Sequence, residues 1–152
     1  MLDYAVYSNQ LRGRLILCIG MLLVLLLFTT VMVFANKKGL FAKEKKIVRI
    51  VIQVIVAAII LAGTIAMGLS TFEYASDIKN TSYVEYEGTF VIDESKPNGF
   101  FVIIQDGEKT IQLESWAAAR DGMKEDTVYY GKLVYAVKSK TLLQIIDWYA
   151  VT

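Results

Sequence analysis

The chain contains no histidine. Histidine is the commonest general base, the commonest metal ligand and the one side chain that ordinarily titrates near neutrality. Its absence removes the simplest routes to catalysis, metal binding and pH sensing. Cysteine occurs once, as Cys18. No intrachain disulfide can form, and a zinc site built from several Cys or His ligands is excluded. Leu15-Ile16-Leu17-Cys18 has the outline of a bacterial lipobox. Leu17 is too large for the residue before a lipidated cysteine, so Cys18 reads as an inert thiol in an apolar run.

Charge is missing from two long stretches. Residues 15–35 form an apolar run with no charge and no proline. About twenty such residues, at about 1.5 Å each, cover the ~30 Å hydrocarbon core of a bilayer. A second span is expected over residues 47–70. Its uncharged part starts at Ile50, and Gln53 is its only strongly polar residue. The first run is too long for a signal-peptide core, and Asn36-Lys37-Lys38 follows it where a small-residue cleavage site would stand. Both runs therefore read as retained helices of a transmembrane hairpin. Residues 1–14 read as an N-terminal tail, 36–46 as a basic loop and 71–82 as a polar linker.

The charges that are present are unevenly spread. Residues 1–70 hold eight Lys or Arg against two acids; residues 71–152 hold eight against thirteen. A basic half of net +6 precedes an acidic half of net −5. Five lysines lie in the 36–46 connector, and Arg49 follows. Lys and Arg close to helix ends mark the cytoplasmic side. The connector is thus expected in the cytoplasm of a cell membrane, with the N-terminus and the C-terminal domain outside. Arg12 and Arg14 keep the inverted hairpin open. Tyr4, Tyr7, Phe72 and Tyr74 fit an interfacial belt on one side, and Phe34 and Phe41 on the other.

Ala58, Ala62, Ala66 and Ser70 recur every fourth residue of the second span, with Gly63 beside them. Small residues let helices approach closely in lipid. This face is expected to pack on the first span around Gly20 and Val24, or on another membrane protein. Neither span has a central charge, which argues against an ion or substrate path through this chain.

After residue 82 the hydrophobic period changes to two. Val84, Tyr86, Gly88, Phe90 and Ile92 alternate with Glu85, Glu87 and Thr89, which predicts a strand. Lys96-Pro97-Asn98-Gly99 predicts a turn. Phe100 to Gln105 predicts a second strand, Asp106-Gly107 a hairpin turn, and Thr110 to Glu114 a third strand with Ile111 and Leu113 inward. Ser115 to Arg120 reads as a short helix, capped by Ser115 and ended by Asp121-Gly122. Thr127 to Lys138 and Thr141 to Tyr149 complete five strands around the turn Ser139-Lys140.

Three strands, a short helix and two strands over 83–152 is the order of an OB-fold, a small five-stranded all-β barrel. The fold class expected is therefore a membrane α-helical hairpin of two spans followed by an OB-fold-like barrel. The arrangement also resembles NfeD-type bacterial membrane proteins, which place an OB barrel after a few membrane helices. Their glycine-rich first-strand pattern has no clear counterpart here. The resemblance implies an accessory role beside membrane-bound partners such as stomatin-like proteins.

No Gly-rich phosphate loop, nucleophile elbow or metal-ligand spacing is present, and no cofactor is implied. Asp93, Glu94, Asp106, Glu108, Glu125 and Asp126 fall in predicted loops and read as solvated charge. Asp147, on a strand among Ile145, Ile146 and Trp148, is expected to pair with a lysine such as Lys132 or to face water. OB barrels often bind single strands through a basic groove with stacked aromatics. An acidic domain repels phosphates, so nucleic acid is not the expected partner. Trp116, Tyr130 and Trp148 fall outside the inward pattern and are the candidate partner-contact residues.

The reading is a membrane-anchored, non-enzymatic accessory protein whose extracytoplasmic barrel binds a membrane or envelope protein. Self-association is compatible with it. The alternative is a cytoplasm-facing OB-type module for a small ligand, nucleotide or single-stranded nucleic acid. An enzyme using only carboxylates or tyrosines is the least supported.

Overall fold

The structure, a computed structural model, describes residues 4–37, 46–93, 99–107, 109–115 and 122–151. Two helices precede five strands: α1 (Tyr4–Lys37), α2 (Lys46–Asn80), β1 (Tyr83–Asp93), β2 (Phe100–Asp106), β3 (Lys109–Ser115), β4 (Val128–Ala136) and β5 (Thr141–Ala150). The expected turn at 96–99 lies largely, and the expected helix at 115–120 almost wholly, outside the described residues. The chain divides into two units, one of Leu11–Ala75 and one of Met1–Gln10 with Ser76–Thr152.

In the helical unit, α1 and α2 are each long and apolar enough to cross a membrane. At 34 and 35 residues they exceed the expected spans. Each measures about 50 Å, against a hydrocarbon core of about 30 Å. The extra length is polar sequence that stays helical. Residues 71–80, expected as a linker, continue α2 because they contain neither Pro nor Gly to break it. Thr81, at φ 49°, ends the helix. Residues 4–14, expected as a tail, begin α1, which runs through Gly13.

The half-buried positions within this unit follow a 3.5-residue period. On α1 they include Leu15, Cys18, Leu22, Leu25, Thr29 and Met32; on α2 they include Gln53, Val56, Ile60, Gly63, Met67 and Ser70. Alternating steps of three and four make a heptad seam, the geometry of a left-handed pair. A Cβ on Gly63 would stand 3.4 Å from Leu25 Cδ1, so the seam passes between these residues. The expected small-residue face meets this seam only in part. Ala58, Ala62 and Ala66 are exposed, as are Gly20 and Val24; only Ser70 of that face lies on the seam. The seam mixes larger side chains with Gly63 and Ser70, and the alanines at 58, 62 and 66 lie off it.

In the β unit, the strands form a mixed sheet in the order β1-β2-β3-β5-β4, which closes on itself. β1 reaches both ends of that order. It pairs with β4 from Tyr83 to Val91 and with β2 from Phe90 to Asp93. Asp106 pairs with Lys109 across the expected hairpin turn, where Gly107 takes φ +63°. All neighbours are antiparallel except β3 and β5, which meet in parallel at Glu114 and Thr141.

The interior holds Phe90, Ile92, Phe100, Val102, Ile104, Leu113, Tyr129, Leu133, Tyr135 and Leu142, with Met123 from the 122–127 loop. Alternation along β1 to β4 largely places these as expected. Near the start of β1 the pattern differs. Val84 is exposed, whereas Tyr83 is buried on the opposite side beneath Tyr4 and Tyr7.

Two glycines allow the sheet to curve. Gly88 and Gly131 are cross-strand partners on β1 and β4. A Cβ on Gly131 would stand 3.0 Å from Trp148 Cα and closer still to the Asp147 carbonyl oxygen. Both are backbone atoms, so β5 can lie this close only over glycine. The Tyr86 ring covers Gly88, and its hydroxyl donates to the carbonyls of Gln105 at 2.9 Å and Thr89 at 3.1 Å.

Candidate functional site

Strand β5 holds the features that regular alternation does not give. Opposite β4, its register slips between Lys132 and Leu133 and again between Val134 and Tyr135. Leu143 and Ile146 are the extra residues. A bulge reverses which side chains face inward after it. Ile145 and Trp148, three residues apart, therefore both pack against the interior. The Trp148 ring meets Tyr129 edge-on, with centroids 5.3 Å apart. Trp148, expected as a contact residue, is half-buried, with its ring packed against the interior. Trp116 lies outside the described residues.

Tyr130 does face outward, and the bulges give it a neighbour. Counted back from the turn without bulges, Tyr130 would stand opposite Asp147. The two extra residues instead bring Tyr149 there. The two rings lie 5.5 Å apart at 33°, and Tyr149 is 61% exposed. Val128 and Val151 sit at the open end of this pair, joined by a 2.9 Å bond from the Val151 amide to the Val128 carbonyl. Both are exposed. The sequence reading missed Tyr149, because no signal in residues 141–150 marks where β5 bulges.

Acidic residues border the tyrosines. Lys132 Nζ lies 3.1 Å from Glu87 Oε2, and both side chains are about half exposed. The Glu87 carboxylate, by hydrogen bond and charge, raises the Lys132 pKa above its ordinary 10.5; Glu85 and Asp147 add to this from farther away. Asp147 is the cross-strand partner of Lys132. One cation is thus set among three acids, and the outward face of β1, β4 and β5 is net acidic beside an exposed aromatic pair.

The other outward faces differ. Between the buried residues of β2 and β3 lie Phe101, Ile103, Gln105, Thr110, Gln112 and Glu114, none of them basic. The β4–β5 turn at 137–140 is tied down. Asp77, in the last turn of α2, is fully buried. Its Oδ1 accepts the Lys138 amide at 3.1 Å and its Oδ2 the Ser139 amide at 2.8 Å. Lys138 Nζ also donates to Ser76 Oγ at 2.8 Å. The N-terminal end of α1 contributes Tyr7, whose hydroxyl donates to Gln144 Oε1 at 2.6 Å.

Comparison of the chain with families of known proteins, with curated proteins and with solved structures finds no match.

Proposed function

We propose that this protein is a membrane-anchored, non-enzymatic accessory factor. Its two helices cross a bilayer as a hairpin, and its β unit is an OB-type barrel that binds a protein or envelope partner on the extracytoplasmic side. The closed order β1-β2-β3-β5-β4, with its single parallel contact between β3 and β5, supports the OB reading. The concentration of lysines in the connector supports the orientation.

One observation carries the binding reading: the outward Tyr130–Tyr149 pair beside Glu85, Glu87 and Asp147. Tyrosine is enriched at the centres of protein interfaces, because it brings a large apolar area and a hydroxyl at small entropic cost. The acidic border favours a partner surface with basic residues. Single-stranded nucleic acid fits poorly. Phe101, Ile103, Gln105, Thr110, Gln112 and Glu114 on β2 and β3 include no cation, and the amides of Lys138 and Ser139 are engaged by Asp77.

A cysteine placed at the exposed Lys109, in a Cys18→Ser background, tests sidedness. An impermeant maleimide should label it in intact cells. Protection until lysis would favour the cytoplasm-facing alternative. A photo-crosslinker at Tyr149 should then trap a partner whose yield falls when Tyr130 is replaced by Ala. A crosslinked product that is nucleic acid would overturn the reading.

A further inference from the structure

We propose that the groove between α1 and α2 at their connector ends is a binding site for one anionic phospholipid. This inference rests on the membrane reading above. The groove has a volume of about 550 Å³. Leu26, Met32, Val56 and Ile60 form its walls. Its connector end is closed by a polar pair, in which Gln53 Nε2 donates to Asn36 Oδ1 at 2.8 Å.

The occupant follows from this asymmetry. The length of the groove is apolar and suits an acyl chain, whereas its end is polar and adjoins basic positions of the sequence. Lys37 directly follows Asn36 and is the basic residue of the last turn of α1. Lys46 opens α2, Arg49 stands one helical turn before Gln53, and the first turn of α2 contains no acid. Intramembrane charge is otherwise absent from the central spans, so the chain concentrates cations where a phosphate headgroup would lie. A basic pocket between membrane helices on the cytoplasmic side is the arrangement that holds anionic headgroups. A zwitterionic lipid would fill the apolar part equally well but gain less from the cations. The site therefore selects by headgroup charge.

The test uses the full-length chain reconstituted in vesicles of equal phosphatidylglycerol and phosphatidylcholine. Flotation on a density gradient first establishes insertion. The inserted chain is then taken into mild detergent, and retained phospholipid is quantified by mass spectrometry. Phosphatidylglycerol should be retained in excess over phosphatidylcholine. Neutralising Lys37, Lys46 and Arg49 to Gln should lower that preference about fivefold for each charge removed. Ala57→Trp, which fills the groove wall, should abolish retention of both lipids without preventing flotation. Equal retention of the two lipids, or unchanged retention in Ala57→Trp, overturns the inference and leaves the membrane reading intact. A chain that does not float with the vesicles overturns both.

Discussion

The carboxylate of Asp77 holds the turn containing Ser139, accepting its amide at 2.8 Å and the neighbouring Lys138 amide at 3.1 Å. An acid in the last turn of a helix opposes the macrodipole, whose negative end lies there. The two amide bonds offset that cost, and full burial makes them hard to replace with water. Asp77→Ala should therefore destabilise the β unit by about 2–4 kcal/mol, since two part-buried amides lose a charged acceptor. Asp77→Asn keeps one acceptor oxygen and should cost about half as much. Chemical unfolding monitored by the tryptophan fluorescence of the detergent-solubilised chain measures both.

Gly131 is fixed by backbone atoms of β5. Gly131→Ala would drive its methyl group into the Asp147 carbonyl and against Trp148 Cα. The cost should be about 3 kcal/mol or more, because β4 and β5 must separate. At Gly88 the obstacle is the tip of the Tyr86 side chain. That ring can swing away, so Gly88→Ala should cost less, about 1–2 kcal/mol, largely through the lost bond to Gln105. Midpoints of thermal unfolding should rank wild type, Gly88→Ala and Gly131→Ala in falling order.

Trp148 and Tyr149 are adjacent yet should behave oppositely. Trp148→Ala removes a side chain packed on Tyr129 and should cost about 3 kcal/mol. Tyr149→Ala should change stability by less than about 1 kcal/mol but sharply reduce partner capture. Unfolding curves and crosslinking yields on the same two variants separate the roles. A stable Trp148→Ala variant would contradict the assignment of β5.

Lys132 ties pH to the acidic face. Its raised pKa means that its pairing with Glu87 contributes fully below the ordinary 10.5 and is lost as pH climbs through the raised folded-state value. Glu87→Gln removes the first cause of that rise. The Lys132 amine should titrate at lower pH in Glu87→Gln than in wild type, as NMR of the side-chain nitrogen would show. The stability difference between the two proteins should narrow as pH climbs past the ordinary 10.5 and through the raised folded-state value.

Much of the fold is legible in the residues. Two uncharged runs announce α1 and α2, and alternation through Phe90, Val102, Leu113 and Leu133 announces β1 to β4. The helix ends are less legible, because residues 71–80 are polar without periodicity and only their lack of Pro and Gly hints at continuation. The alanines at 58, 62 and 66 suggest a packing face by composition. The seam is instead set by position on a heptad, which composition does not reveal. On β5 the candidate site escapes detection for a geometric reason. Two bulges slide Tyr149 opposite Tyr130 and turn Trp148 inward, and bulge positions follow from the closure of the sheet rather than from local residue preference. Of the two expected contact residues that the structure describes, Tyr130 faces outward and Trp148 packs toward the interior.

The central claim is that α1 and α2 lie across lipid and anchor the β unit. Washing membranes that contain the full-length chain with alkaline carbonate, without detergent, tests it most directly. The account predicts that the chain stays in the membrane pellet and leaves it only when detergent is added. Recovery of the intact chain in the aqueous supernatant would contradict it.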